Sequence, residues 1–348
     1  VVAGFSQALF HDYDRKWFAV YGYANCAEDE VSRDFARAAD GWRNIRGMAP
    51  KETARLVYED EIDILFELAG HTGGNLLPVL AYRPAPVQIT GIGYFATTGL
   101  SAVDYFLTDE AAALPGEEAF FTERLLRLSH SHLCYAAIDG AGRPVSPLPC
   151  RAAGYVTFGS LNQFDKVTDE MLDAWAEILR QVPEARLLLK GSAFDDEERR
   201  GDIEKSLTAR GLPLARVTRE GYAADYYAAY DRIDIALDSY PYPGGGTTCD
   251  ALYMGVPVIT LRGETYHASR LGAAMLTAAG KAAWIAEGAH AYERLALQMA
   301  EHLGKVRANR AALRAEVEAS ALMDGAEYLS AFTSEIERLW AERGDFVR

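Results

Sequence analysis

Apolar residues along this chain gather in short dense runs instead of alternating with polar ones. "FAVYGY" (Phe18–Tyr23), "IDILFEL" (Ile62–Leu68), "VQITGIG" (Val87–Gly93) and "VDYFLTD" (Val103–Asp109) have strand character in the first part of the chain. "GYVTFGS" (Gly154–Ser160), "ARLLLKG" (Ala185–Gly191), "IDIALDS" (Ile233–Ser239) and "VPVITL" (Val256–Leu261) play the same part in the second. Between the first two of this second set the period becomes helical. Met171, Trp175, Ile178, Leu179 and Val182 share a face, and Thr168 stands where an N-cap belongs. Continuous apolar strands alternating with helices predict an α/β fold, with parallel sheets covered on both faces. Leu329, Phe332, Ile336 and Leu339 mark one face of a closing helix.

A stretch rich in proline and glycine, Asp139–Gly154, lacks any period and reads as a linker. It predicts two lobes, 1–145 and 146–348, with the closing helices in the second. The first lobe opens with a helical pattern and only then gives a strand. A doubly wound lobe normally begins with a strand. The first strand and the loop after it are therefore expected to be missing, the alternative being a fold that begins with a helix.

Composition narrows the partners. The chain has 348 residues, 49% of them hydrophobic, which leaves room for two cores. A net charge of −15 argues against a nucleic-acid partner, whose phosphates it would repel, while leaving room for a local basic pocket. Cys26, Cys134, Cys150 and Cys249 form no C-x-x-C pair, so a reducing cytoplasm is the expected setting. No apolar run approaches the roughly 20 residues that span a bilayer, and no basic amphipathic segment of the membrane-docking kind is present.

Three strand-to-helix loops carry candidate chemistry. "PYPGGGTTCDALYMG" (Pro241–Gly255) leads glycines and threonines into a helix, whose first N–H groups and dipole suit a phosphate or diphosphate. The same pattern also fits a glycine-rich turn with Thr247 as N-cap. "GSLNQFDKVTDEM" (Gly159–Met171) offers Asn162, Gln163 and Lys166, the lysine being either a neutraliser of a departing diphosphate or a plain surface residue. "ELAGHTGGN" (Glu67–Asn75) offers His71 for acid–base work or as a structural histidine. Beyond it, Tyr94 to Gly99 form a loop of small and polar residues.

Together "LAGHTGGN", "YRPAPVQITGIGYFATTGLSAVDYFLTD", "FGSLNQFDK" and "DIALDSYPYPGGGTTCDALYMGVPVITLRGET…SR" resemble the catalytic region of the protein O-linked N-acetylglucosamine transferase family, which includes plant SPINDLY-type and bacterial relatives. The resemblance runs from about Ala3 to Leu339. It implies a GT-B fold: two Rossmann-like lobes facing a cleft, the second holding the donor, with no cofactor and no metal. By matching position, Gln163 and Lys166 contact the nucleotide and its diphosphate. Gly245, Gly246, Thr247 and Thr248 form the diphosphate turn, and Asp250 binds the ribose. Tyr226 stands where a histidine is usual beside the nucleotide, and Gly246 where a threonine is usual. His71, Thr72 and Gly74 match the cleft-lining loop. Tyr94, Thr97 and Thr98 match the loop near sugar and acceptor, and Asp60 matches an acid considered for catalysis. The implied reaction is inverting transfer of a sugar from a nucleotide sugar, UDP-N-acetylglucosamine being expected, to protein Ser or Thr hydroxyls. O-fucosyl or glucosyl transfer, or a non-catalytic nucleotide-sugar scaffold, are the alternatives. Tetratricopeptide repeats are expected upstream in a longer parent.

Overall fold

Each apolar run contributes a strand in the structure, a computed structural model that describes residues 2–305 and 309–342. The chain divides into two units, Val1–Ala136 with Ala321–Arg348, and Ala137–Ser320. In the first, the order is α1 (Val2–His11), β1 (Tyr21–Ala24), α2 (Glu30–Ala38), β2 (Gly41–Asn44), α3 (Pro50–Glu59), β3 (Ile64–Glu67), α4 (Leu77–Leu80), β4 (Val87–Thr90), β5 (Tyr105–Asp109) and β6 (Arg124–Leu128). The second contains α5 (Cys150–Ala153), β7 (Thr157–Ser160), α6 (Asp169–Gln181), β8 (Arg186–Lys190), α7 (Glu197–Ala209), β9 (Val217–Glu220), β10 (Ile235–Leu237), α8 (Gly246–Tyr253), β11 (Val258–Leu261), α9 (Leu271–Ala278), β12 (Ile285–Ala286), α10 (Ala289–Lys305) and α11 (Arg310–Glu318). The closing helix α12 (Gly325–Glu342) returns to the first unit.

The second unit has one parallel sheet, ordered β12-β11-β10-β7-β8-β9. Its inner strands are buried on both faces, so they read as unbroken apolar runs. Helix α6 covers one face. The Thr168 hydroxyl accepts from the Met171 N–H at its start, a cap of the kind that contributes about 1 kcal/mol. Met171, Trp175, Ile178 and Leu179 then point into the core beside Phe158, Ile235 and Tyr292. The Trp175 indole donates to the Tyr292 hydroxyl (3.3 Å), which donates to the Asp238 carbonyl (2.9 Å) at the end of β10. The core is thus hydrogen-bonded to the loop that follows this strand.

In the first unit the parallel strands form two sheets, β1-β2 and β3-β4-β5-β6, in place of one doubly wound sheet. Helix α12 packs here, against α1 and β6, with Phe332 stacked 5.7 Å from Phe66 and Tyr328 buried. The sequence reading placed this helix with the second lobe. Its apolar face meets aromatic and strand residues of the first unit, and those contacts decide where it sits. The stretch 139–154 is not a free linker either. Arg143 pairs with Asp225 (2.8 Å) and Asp231 (3.4 Å), and the Asp234 carboxylate accepts from the Cys150 N–H (3.0 Å), so these residues belong to the second unit.

Candidate functional site

In the second unit, adjacent parallel strands β7 and β10 bring two loops side by side at their carboxyl ends, where ligands bind in such sheets. Asp238, directly after β10, organises both loops. One of its oxygens accepts from the Asn162 amide (2.9 Å), the Ser239 N–H (2.9 Å) and the Gly244 N–H (2.7 Å). The other accepts from the Thr260 hydroxyl (2.8 Å). Burial raises the Asp238 pKa above the usual carboxylate value, against the pull of these donors and of Lys166. The Asn162 carbonyl in turn accepts from the Thr247 hydroxyl.

Lys166 ends a 3₁₀ turn, Phe164–Lys166, and its ammonium donates to the Pro243 carbonyl (3.1 Å) while lying 4.5 Å from the centre of the Tyr242 ring. Burial lowers its pKa, and Asp238 opposes that shift. The lysine therefore stands at the glycine-rich turn that leads into α8. Gln163 is exposed, and its side-chain oxygen accepts from Ser192 (3.3 Å).

The three glycines do different things. A Cβ on Gly244 would fall 2.4 Å from the Thr247 hydroxyl and 2.6 Å from the Asn162 carbonyl oxygen, so this glycine permits the close packing of the two loops. Gly245 is the N-cap residue of α8 with open space where a side chain would stand, and Gly246 is its first helical residue. The N–H groups of Gly246, Thr247 and Thr248 begin the helix and have no carbonyl four residues back within it. Thr247 accepts on its carbonyl from Tyr230 (3.0 Å), and Thr248 is buried.

Asp250, also buried, accepts from Tyr226 on one oxygen (2.5 Å) and from Tyr227 on the other (2.6 Å). Burial, then the Asp250 charge, push the Tyr226 phenol far above its ordinary pKa, so it remains a donor. The residue expected to bind ribose is here covered by two tyrosine hydroxyls.

The first unit repeats the arrangement with neighbours β3 and β4. Glu67, at the end of β3, accepts from the N–H groups of Ala69 (3.0 Å) and Gly70 (2.7 Å) and fixes the turn. Gly70 has φ +54°, and a Cβ there would lie 2.3 Å from the Cβ of Tyr94, so only glycine fits. His71 is exposed. Its Nε2 lies 2.9 Å from the Thr98 carbonyl, and its ring meets Tyr94 edge-on at 5.2 Å. A carbonyl only accepts, so Nε2 carries the hydrogen, and in the neutral ring Nδ1 keeps a lone pair. Thr72 donates to the Ala69 carbonyl (2.7 Å), and the Gly74 carbonyl accepts from Asn25 (2.8 Å).

The remaining expected site residues, Asp60, Thr97 and Thr98, are held by protein partners. Asp60 ends α3, ahead of β3, whereas His71 follows that strand; the two lie at opposite ends of it. Its carboxylate accepts from Arg43 (2.7 and 3.1 Å) and Tyr23 (2.8 Å), and the Arg43 bond is the main cause of its lowered pKa. The Thr97 and Thr98 hydroxyls both donate to Glu123, while the Thr98 carbonyl faces His71 Nε2. Glu123, Asp238 and Glu67 escaped the sequence reading, since an isolated acidic residue beside a strand carries no spacing signal. Among the described residues, no group of three or more His, Cys, Asp or Glu is placed to hold a metal ion.

Comparison with known proteins follows the same lines. The family described as Glycosyl transferase family 41 matches residues 4–136 and 143–332. The chain is 37% identical over 337 residues to a probable UDP-N-acetylglucosamine–peptide N-acetylglucosaminyltransferase SPINDLY of Petunia hybrida, covering 95% of this chain and 36% of that protein. It therefore spans about a third of the length of the curated relatives it matches. A lysine-to-methionine mutant of the Thermobaculum terrenum O-GlcNAc transferase superposes with a TM-score of 0.86 at 33% identity, covering 98% of this chain and 64% of that one. A glycosyltransferase of Rickettsia africae, 11% identical, has a TM-score of 0.61 over 97% of this chain and 93% of its own, a likeness of fold alone. The fold class is the mixed α/β one of GT-B glycosyltransferases.

Proposed function

Because the chain belongs to glycosyl transferase family 41, we propose that it transfers N-acetylglucosamine from UDP-N-acetylglucosamine to Ser or Thr hydroxyls of proteins, with inversion and without a metal. The names of its relatives support the donor and the peptide acceptor. The observation that carries the reading is Lys166 beside the first turn of α8, a fixed ammonium next to free helical N–H groups.

In this mechanism the acceptor hydroxyl attacks the anomeric carbon and gives its proton to Nδ1 of His71, the bond from that carbon to the diphosphate oxygen breaks, and UDP leaves with the bonding electron pair. Negative charge accumulates on the departing diphosphate. Lys166 and the N–H groups of Gly246, Thr247 and Thr248 meet that charge as preorganised donors; losing one such donor typically costs about 3–4 kcal/mol. Gln163 lies one turn from Lys166 and serves the nucleotide. Asp250 serves the ribose once Tyr226 gives up its bond. His71, with Nδ1 bearing a lone pair, serves the acceptor side together with Thr72, Gly74 and Tyr94. The protein acts in the cytoplasm, and repeats in a longer parent present its acceptors.

The test is incubation of the protein with UDP-N-acetylglucosamine and a Ser/Thr peptide library, read by mass spectrometry. Peptides gaining one N-acetylhexosamine are expected. Binding of UDP with no adduct on any peptide would overturn transfer in favour of a nucleotide-sugar scaffold, and tighter binding of GDP than UDP would overturn the donor.

A further inference from the structure

The loop after β4 is wound around a carboxylate that the proposed reaction does not use. Glu123 stands immediately before β6 and is only 3% exposed. It accepts from the Thr98 N–H (2.7 Å), from the Thr98 hydroxyl, and from the Thr97 hydroxyl (2.6 Å). The Thr97 oxygen then accepts from the N–H groups of Gly99 (3.1 Å) and Thr122 (3.1 Å), and the Thr98 oxygen from Leu100 (3.2 Å). A buried carboxylate needs such donors to offset its lost hydration.

The consequence lies in Thr98. This residue has three polar groups. Its N–H and hydroxyl are committed to Glu123, and its carbonyl takes the Nε2–H of His71 (2.9 Å). Thr98 cannot shift toward solvent without breaking both attachments. His71 is itself exposed, and an exposed imidazole ordinarily samples several rotamers. Here the Thr98 carbonyl holds one nitrogen and Tyr94 backs the ring edge, with Gly70 letting Tyr94 come close.

We propose that Glu123 is a positioning residue that fixes the orientation and tautomer of His71 through Thr98. It touches no substrate. It keeps the Thr98 carbonyl where Nε2–H must donate, which leaves Nδ1 as the nitrogen available to a ligand hydroxyl. The catalytic consequence rests on the role of His71 proposed above; the grip on the ring does not.

The experiment uses ¹⁵N-histidine labelling of the full chain, with His71→Gln to assign the signal. An imidazole N–H bonded to a carbonyl exchanges slowly enough to be seen, whereas one open to water does not. Wild type should show the His71 Nε2–H resonance. Glu123→Ala should lose it, and Glu123→Gln, whose amide oxygen can still accept from Thr98, should restore it. Should Glu123→Ala fail to fold, Thr98→Val removes one of the two bonds to Glu123, and the resonance should broaden or vanish. Persistence of the resonance in a folded Glu123→Ala or Thr98→Val protein would overturn the proposal. In transfer assays, kcat should fall about a hundredfold in Glu123→Ala at unchanged KM for UDP-N-acetylglucosamine, as for a ring misplaced by about 1 Å, and recover in Glu123→Gln. Loss of the resonance with unchanged kcat would instead refute the role given to His71 and leave the grip of Glu123 standing.

Discussion

The clusters at the strand ends of the two units are built to the same plan and differ in what holds their key side chain. Each unit lays two loops together at the carboxyl ends of neighbouring parallel strands. Buried acids anchor them: Asp238 alone bonds to both loops in the second unit, whereas in the first Glu67 holds the loop after β3 and Glu123 the loop after β4. Each pins one nitrogen side chain with a main-chain carbonyl: Lys166 on Pro243, His71 on Thr98. But Lys166 is partly buried beside a helix start, and the donors next to it are main-chain groups set by α8 itself. His71 is exposed and depends on a loop whose shape hangs on one carboxylate. In the proposed reaction charge binding is therefore delegated to secondary structure, and proton handling to a hydrogen-bonded loop whose hold on His71 is the inference drawn above.

The largest effect expected is in the second unit. Lys166→Ala removes the ammonium from the corner proposed for the diphosphate, and kcat should fall about a hundredfold to a thousandfold, with UDP affinity reduced and melting temperature nearly unchanged. Calorimetry, steady-state kinetics and a thermal melt check the three parts. A comparable loss of stability would mean that the lysine is structural. Gly244→Ala comes next. It drives a methyl into the Thr247 and Asn162 oxygens and should destabilise by about 1–3 kcal/mol, as overpacking does. It should weaken UDP binding while the His71 Nε2–H resonance stays in place, and movement of that resonance would break the separation between the clusters.

Smaller, and specific in sign, is the effect of pH. The Lys166 pKa is lowered in the free protein, and a bound diphosphate favours the ammonium and raises it again. UDP affinity should be full below the free-protein value and decline as pH rises through it. Proton uptake on binding should appear in that window when titrations are run in buffers of different ionisation enthalpy. Uptake absent across the alkaline range would remove Lys166 from contact with phosphate. The smallest effect belongs to Tyr226→Phe. It removes the Tyr226 donor from one Asp250 oxygen, a bond worth about 1 kcal/mol net, so UDP should bind several-fold tighter in direct titration. Weaker binding would make the Tyr226 hydroxyl a ligand contact in its own right.

The same contrast governs what could be read from the residues. The inner strands of both units declared themselves, because a strand buried on both faces reads as an apolar run. β2, β6, β9 and β12 did not, and all four lie at sheet edges, where half-solvated residues such as Arg124, Arg127 and Arg219 break the run. Helix α6 was legible from its period and cap. The position of α12 was not, since periodicity shows an apolar face but not what covers it. In the site, glycines, threonines and Lys166 were visible because their spacing follows a strand. The anchors Asp238 and Glu123 were invisible, because their partners are 76 and 25 residues away for Asn162 and Thr98. The bonds from the Thr97 and Thr98 hydroxyls to Glu123 were hidden for the same reason, since no local pattern reveals them.

The measurement that bears most directly on the account is a crystal structure of the protein soaked with UDP. The account predicts the diphosphate against the N–H groups of Gly246, Thr247 and Thr248, with the Lys166 ammonium turned from the Pro243 carbonyl to a phosphate oxygen. UDP bound elsewhere on the protein, with Lys166 still on Pro243, would contradict it.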